Sequence, residues 1–475
     1  MMNLTLLTPE LIITLGSLVV FAISLGSGRG KLAATVTAAI AALALLSCAG
    51  TLNSHGDFFS RALRVDPYSQ IFKIFILLGL FSVVVFGREL KDIRAGIRPE
   101  YFLFLLWGTL GLMLLVSSTE LITLIIAMEL SSFALYLLVP LRQDRGGLRI
   151  QMEAATKYVM FGIVATGIML FGMSYLFGLT GTTYFHDLAP ALRERWSDPA
   201  AVIGMVMVLA GLFFKLAAFP MHLWAPDVYQ GASNETTAFI AGVPKAAVIA
   251  VLIRFCLCAD PGDRSLTVVL TVTAICSMFF GNLAALVQTD IKRMLAYSSI
   301  AHAGYVLLGL ITLRDTGYAA SIFYILGFVV MSLASFLVIC ATSREGENVT
   351  VDSLSGLHSR SPLAALILGA GMFALAGIPP FAGFMGKFFL LTEALKRGYV
   401  LLVVVAAINT AIGVYYYLTV VRVMYFSDAG GRPQVRLGAV NAALGLGLIL
   451  IVLALGTFPS GLLDTALSAV RTAVL

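Results

Sequence analysis

Four ionisable side chains lie within long apolar runs of the sequence: Glu129, Lys215, Lys245 and Lys387. A charged side chain at the centre of a lipid bilayer costs about 2.5–3.5 kcal/mol on insertion scales, so such a residue needs a partner or a function. An ammonium group removed from water releases its proton more readily, whereas a nearby carboxylate makes it hold that proton. Lysines and a carboxylate in these positions therefore indicate a path along which protons are taken up and released.

Glu129 and Lys215 are predicted to act as a pair. Glu129 lies near the middle of the run 119–140, and Lys215 follows fourteen mostly apolar residues and precedes Pro220 by five positions. If the carboxylate approached or left the ammonium group, Lys215 would change between holding and releasing its proton. The structural alternatives are a protonated Glu129 bonded to a neighbouring helix and a Lys215 side chain that extends to the membrane surface.

Lys245, His302 and Lys387 are further candidates for the same path. Lys245 follows Pro244 near the start of its run, and Lys387 follows Gly386. An imidazole titrates near neutral pH, so His302 could relay protons between the lysines. The alternatives are a hydrogen-bonded core position for His302 and lysine side chains that extend to the membrane surface.

The remaining polar residues within the apolar runs are assigned structural roles. Three of them lie near the ends of runs and are predicted to be interfacial: Lys73, Lys157 and Glu153. His222 follows Pro220 and is interpreted as a packing residue. Asn282 and Asn409 are predicted to hydrogen-bond between helices.

The composition identifies the elements that must hold these residues. Of 475 residues, 59% are hydrophobic and 12% are charged, about half of the roughly 25% charge of a soluble domain. The apolar residues form fourteen continuous runs, near the length of about 20 residues that spans a bilayer. This pattern excludes a soluble enzyme, a coiled coil, a disordered chain and an outer-membrane barrel. The predicted fold is an all-α polytopic membrane protein with about 14 transmembrane helices.

Two of the runs are predicted to contain broken helices. The segment Leu216–Pro220 resembles Leu375–Pro379, which lies 159 residues later, and each proline interrupts an apolar run. Helices broken at corresponding places in two halves are typical of transporters, whose ion sites lie near the breaks. Lys215 and Lys387 stand beside these two breaks.

The distribution of basic residues predicts the orientation. With the N-terminus outside, the inside loops hold sixteen lysines and arginines, for example Arg142, Arg145 and Arg149, and the outside segments hold ten. The positive-inside rule favours this arrangement, and an even number of spans places both termini outside. The first run lacks a basic n-region and is predicted to be a retained span.

Several chemistries are not indicated. The net charge of +6 is scattered, so nucleic acid is not a predicted partner. The five cysteines form no CxxC pair, and the sequence has no Walker A loop, dinucleotide fingerprint or clustered metal ligands. The chain is therefore predicted to hold no cofactor or metal and to carry no electrons itself.

The segments around the breaks resemble those of a known family. Phe214–Ala232, which contains the sequence PDVYQGA, Asp290–Ile300 and Gly377–Lys387 look like the antiporter-like membrane subunits of NADH:quinone oxidoreductase, respiratory complex I. The PDVYxGA form is similar to the subunit N branch. Ser233–Thr237 departs from the resemblance, because these proteins often carry proline there.

The resemblance implies a single membrane domain, 1–475, with two inverted five-helix repeats. The expected parts are three N-terminal helices in 1–100, repeats in 101–258 and 266–426, and a last helix and tail in 437–475. It also implies proton transfer by Glu129, Lys215, Lys245 and Lys387, coupled to quinone reduction in other subunits. FMN, iron–sulfur clusters and quinone are expected in those subunits, and neighbouring antiporter-like subunits and the lipid bilayer are the expected partners.

Two other functions remain open at the sequence level. One is a subunit of a multi-subunit cation/proton antiporter, a transporter without redox chemistry. The other is a structural anchor whose buried polar residues are inert.

Overall fold

The computed structural model describes residues 4–26, 28–144, 147, 149–195, 198–260, 262 and 264–473. Arg145, one of the basic loop residues, lies outside this part of the chain. The described residues form α1 (Thr8–Ser24), α2 (Gly30–Gly50), β1 (Gly56–Phe58), β2 (Leu63–Val65), α3 (Pro67–Phe86), α4 (Arg98–Ser117), α5 (Leu121–Leu138), α6 (Ile150–Thr180), α7 (Phe185–Arg195), α8 (Pro199–Leu216), α9 (Trp224–Gly231), α10 (Asn234–Leu257), α11 (Arg264–Ala285), α12 (Ile291–Ile311), α13 (Asp315–Thr342), α14 (Leu357–Arg360), α15 (Pro362–Ala376), α16 (Ala382–Lys396), α17 (Val400–Phe426), α18 (Ala439–Thr457) and α19 (Ser460–Thr472).

The predicted helical membrane fold is confirmed. Among the described residues, thirteen helical segments are long and apolar enough to cross a membrane. Helices α15 and α16, of 15 residues each, lie within the twelfth predicted run, which is interrupted between them. Together they supply the fourteenth crossing. The chain is therefore a multi-pass membrane protein.

Three helices form the centre of the molecule. In α10 and α12, 94% of the most apolar window is buried inside the protein, and in α13 the whole window is buried. In α18, on the outside of the bundle, only 22% is covered. A helix that is apolar on all sides needs protein or lipid on all sides. The three central helices are surrounded by other helices of the protein. Side chains on α10, α12 and α13 are thereby separated from the lipid.

Some short elements were not predicted from the sequence. The polar segment 179–199 contains α7, and an amphipathic α19 follows the last span. A small antiparallel hairpin pairs β1 with β2, with Phe58 opposite Leu63. These elements are too short or too polar to stand out among apolar runs about 20 residues long.

The interfacial prediction for Lys73 is wrong. Its side chain is 0% exposed, and its Nζ lies 2.6 Å from Oε1 of Glu10 on α1. A position near the end of a run does not reveal whether another helix covers the side chain. In this structure, α1 covers Lys73. Lys157 does lie at the surface, 39% exposed, with Nζ 2.7 Å from Oε1 of Glu153.

Removing Lys73 alone is expected to destabilise the protein. The substitution Lys73→Met leaves the Glu10 carboxylate buried without its cation, which costs about 3–5 kcal/mol. The double variant Lys73→Met with Glu10→Leu should recover most of this loss, because a buried ion pair exchanged for apolar side chains is often neutral. Thermal unfolding of the purified variants measures both effects, and equal stability of the single variant and the wild type would contradict the expectation.

Candidate functional site

The two predicted helix breaks are present and similar. Helix α8 ends where Ala217 takes a left-handed conformation with φ of 58°, and the chain becomes helical again in α9. Helix α15 ends at Gly377, with φ of 85°, and the chain becomes helical again in α16. A C-terminal residue with positive φ stops a helix, and prolines directly after it prevent continuation. Each break places a lysine inside the bundle, Lys215 at the first and Lys387 at the second.

Lys215 lies on the last turn of α8 and is 2% exposed. Its Nζ donates to Ser131 Oγ at 2.9 Å and to Ser132 Oγ at 2.8 Å, both on α5. Each serine in turn donates to the carbonyl oxygen of Met128. The ammonium group is therefore held by neutral acceptors.

Glu129 lies two residues before Ser131 on the same helix. Its Oε1 accepts a 2.8 Å hydrogen bond from Thr166 Oγ1 on α6, and among the described residues no ion pair joins it to Lys215. Ser131 and Ser132, on the same helix as Glu129, are the side chains that contact Lys215 in this structure.

Lys245 lies on α10 and is 1% exposed. Its Nζ donates to Ser299 on α12, at 2.7 Å to the hydroxyl and 3.3 Å to the carbonyl oxygen. The Tyr229 hydroxyl of α9 lies 3.3 Å from the same Ser299 Oγ. Lys245 is therefore connected through Ser299 to Tyr229 on α9, the helix that follows the first break.

His302 is at the centre of a hydrogen-bonded group of three helices. Its Nδ1 lies 2.6 Å from the Tyr324 hydroxyl on α13, and its Nε2 lies 3.0 Å from the Tyr417 hydroxyl on α17. Tyr417 also bonds to Ser298 on α12. The core-histidine alternative is correct about hydrogen bonding, and each partner is a hydroxyl that can both donate and accept a hydrogen bond.

Lys387 lies on the first turns of α16 and is 7% exposed. Its Nζ donates to the carbonyl oxygens of Ala376, at 3.0 Å, and Leu375, at 3.4 Å, at the end of α15. It also lies 4.8 Å from the centre of the Tyr305 ring. The negative end of a helix and an aromatic face both favour a cation, which explains why this ammonium group lies at the second break.

The PDVYQGA segment is held in place by cations. Asp227 accepts from Lys157 and from Arg293, each at 2.7 Å. The carbonyl of Gln230 accepts from Arg142 at 2.8 Å, and Lys292 donates to the carbonyl of Ala232 at 2.8 Å. These contacts anchor α9 and thereby the first break.

The comparisons with known proteins identify the family. The family model "NADH:quinone oxidoreductase/Mrp antiporter, TM" matches residues 118–413. NADH-quinone oxidoreductase subunit N 2 of Opitutus terrae is 48% identical over 98% of this chain and 97% of that protein. The chain belongs to the NADH-quinone oxidoreductase subunit N family. The resemblance read from the motifs is confirmed.

Solved structures agree with this assignment to the subunit N family. A chain of respiratory complex I from Thermus thermophilus has a TM-score of 0.84 at 32% identity, over 96% of this chain and 98% of that chain. A chain of the Mrp complex from Dietzia sp. has a TM-score of 0.89 at 23% identity, over 100% and 98% of the two chains, and shows the shared fold. The matched region 118–413 contains Glu129, Lys215, Lys245, His302 and Lys387.

The departure of this family member at Ser233–Thr237 has a local explanation. Ser233 stands just before α10, and its Oγ accepts a 3.2 Å hydrogen bond from the backbone N–H of Thr236. A serine at this position satisfies one of the free N–H groups at a helix start. This hydrogen bond therefore caps the start of α10, the helix that carries Lys245.

Several residues of the site were not predicted from the sequence. The hydroxyls that contact the lysines and His302 come from Ser131, Ser132, Ser299, Tyr324 and Tyr417. Lys292, counted among loop residues, is 0% exposed. Tyrosines and serines are common inside membrane helices, so their type alone does not distinguish a site residue.

Two structural predictions about polar residues can also be assessed. Asn282 Nδ2 donates to Asn409 Oδ1 at 3.2 Å, which joins α11 to α17 and confirms the predicted contact. His222 is 2% exposed and packs against Phe219 and Phe280, with its ring centre 4.4 Å from that of Phe280. His222 thus has the surroundings of a packing residue.

Proposed function

We propose that this chain is a proton-translocating membrane subunit of NADH:quinone oxidoreductase, driven by quinone reduction in other subunits. The observation that supports this most directly is the arrangement around His302, a buried imidazole whose two ring nitrogens both contact tyrosine hydroxyls. Titratable residues within the membrane are functional-site candidates by default, because their burial is costly. The residues of the proposed path all lie within 118–413, the region that the family model matches.

Each residue has a distinct proposed role. Lys215 and Lys245 take up protons from the inside face, His302 passes them across the middle of the membrane with Tyr324 and Tyr417, and Lys387 releases them outside. Glu129 tunes Lys215: when the carboxylate comes nearer, the lysine holds its proton, and when it lies apart, Ser131 and Ser132 alone support the ammonium group and the proton leaves. The division into repeats 101–258 and 266–426 is part of the proposal, with one break in each.

The partners and the location belong to the same proposal. The redox cofactors, FMN and iron–sulfur clusters, and the quinone are held by other subunits, and this chain holds no redox centre. Its neighbours are other antiporter-like membrane subunits in a bacterial inner membrane, with both termini in the periplasm.

Labelling of single cysteines placed near each terminus with a membrane-impermeant reagent tests the orientation. Labelling only from the cytoplasmic side would reverse the proposed orientation.

Purification of the chain from its own membranes tests the assembly. We expect flavin- and iron–sulfur-containing subunits to copurify with an affinity-tagged chain. Copurification with small antiporter subunits alone would support the alternative, a cation/proton antiporter, which the shared fold with the Mrp chain also permits. The 48% identical relative named for the oxidoreductase favours the first function.

Removal of one hydroxyl beside His302 is expected to slow proton transfer. Tyr324→Phe takes away the hydrogen-bond partner of Nδ1 while keeping the ring, and loss of one buried partner costs about 1–3 kcal/mol. At about 1.4 kcal/mol per factor of ten, proton uptake by reconstituted vesicles during NADH oxidation should fall roughly tenfold.

The matched control is Tyr318→Phe, the same change on the same helix, at a buried tyrosine away from His302. It should leave proton uptake unchanged. Equal rates for Tyr324→Phe and the wild type, with normal assembly, would contradict the role of His302.

A further inference from the structure

A cleft lined by cations opens at the inside face, away from the lysine path. It has a volume of about 470 Å³ and lies between the ends of α2, α3, α13 and α18. A smaller lobe of about 230 Å³ adjoins it and shares Lys91 and Arg436 with it. We call the two lobes together the basic cleft, and its cationic residues are Arg88, Lys91, Arg344, Arg360 and Arg436.

The charges of the basic cleft are not neutralised by carboxylates. Within the described part of the chain, none of the five cations forms an ion pair. Arg88 donates to the Thr35 hydroxyl at 3.3 Å, and Lys91 donates to the carbonyl oxygen of Ser343 at 2.8 Å. Burial and the neighbouring charges of Arg432 and Arg344 lower the pKa of Arg360. The cleft therefore has an excess of positive charge.

Two carboxylates also line the main lobe. Glu89 is exposed at the rim, and Glu235 is 5% exposed at the base. Glu235 lies at the start of α10. The five basic side chains of the two lobes outnumber these two carboxylates.

The rest of the lining suits an amphipathic ligand. The N-terminus of α18 borders the cleft at Ala439, Val440 and Asn441, and its preceding residue, Gly438, offers no side-chain cap. Free N–H groups at a helix start attract anions. Apolar side chains, among them Val84 and the 67% exposed Val440, continue from the cleft to the uncovered face of α18.

We propose that the basic cleft binds the headgroup of an anionic phospholipid, with its acyl chains along the groove between α2 and α18. Basic pockets between transmembrane helices on the cytoplasmic side are recognised by such headgroups. A free phosphate would use the cations and the helix N-terminus but would gain nothing from the apolar wall, which extends towards the bilayer. The binding site is independent of proton transfer and rests only on the described residues of this face.

Lipid retention by the purified complex tests the proposal. Complexes carrying the wild-type chain, the double variant Arg88→Gln with Arg436→Gln, or Arg61→Gln are washed in detergent and incubated with cardiolipin, phosphatidylglycerol or phosphatidylcholine. Arg61 is the control, because it is an arginine between β1 and β2 whose side chain is 77% exposed and does not line the cleft. Native mass spectrometry should show one more retained anionic lipid in the wild type and the control than in the double variant.

The outcomes separate the possible ligands. Cardiolipin and phosphatidylglycerol should raise the Tm of the wild-type complex but not of the double variant, because a ligand stabilises only the protein that binds it. Equal lipid retention in all three complexes, equal stabilisation by inorganic phosphate, or equal stabilisation by phosphatidylcholine would overturn the proposal. If the double variant does not assemble, Arg436→Gln alone, at an exposed side chain, provides the same comparison.

Discussion

Proton transport is expected to fall by roughly a hundredfold when Lys215 is replaced by alanine, the lower end of what a positioned proton-transfer group contributes. The side chain is 2% exposed, and its Nζ is the group that the Ser131 and Ser132 hydroxyls support. Without it, the path between the inside face and Ser299 has no titratable group at the first break. The measurement is proton uptake by reconstituted vesicles per NADH oxidised.

A second variant at the same position distinguishes proton transfer from charge alone. Lys215→Arg keeps a cation but one that does not deprotonate in proteins. If Lys215 releases its proton during transport, the arginine variant should be as slow as the alanine variant. If only the charge matters for folding or for attraction of Glu129, arginine should restore transport.

Lys31→Ala is the matched control, because it removes the same side chain at the exposed start of α2. Transport in this control should equal that of the wild type. Unchanged proton uptake in Lys215→Ala, with a normally assembled complex, would contradict the role of Lys215.

The second large effect is expected at Lys387. Lys387→Met keeps the length of the side chain but removes the ammonium group that binds the Ala376 and Leu375 carbonyl oxygens. Release of protons from His302 to the outside would then have no lysine at the second break, and transport should again fall by roughly a hundredfold. Lys396→Met, on the same helix at a 61% exposed side chain, is the control that should transport normally.

The two lysines can also be told apart. After a pH jump in vesicles without NADH, a Lys387→Met complex should still take up protons from the inside face, because Lys215, Lys245 and His302 remain. A Lys215→Ala complex should lose this proton uptake. Identical behaviour of both variants in this experiment would argue against an ordered path from the first break to the second.

Much of the architecture could be predicted from the sequence because it depends on local properties. Apolar run length determines whether a helix spans a bilayer, and a proline after Leu216 or Leu375 removes a backbone donor and favours a helix break. The presence of lysines within apolar runs is equally local, because its free-energy cost depends on depth in the membrane rather than on one particular contact. The spans, the two breaks and the burial of Lys215, Lys245 and Lys387 therefore followed from the sequence, whereas the burial of Lys73 and Lys292 did not.

The contacts of these residues were decided by the tertiary structure alone. Tyr324 and Tyr417, which bond to His302, lie 22 and 115 positions away in the chain, and Glu10 reaches Lys73 from another helix. The serines that contact Lys215 could not be identified from the sequence, because the rotation of α5 about its axis decides that Ser131 and Ser132 lie against it. Hydrophobicity alone does not determine which face of an almost wholly apolar helix meets which neighbour, since close packing makes that choice.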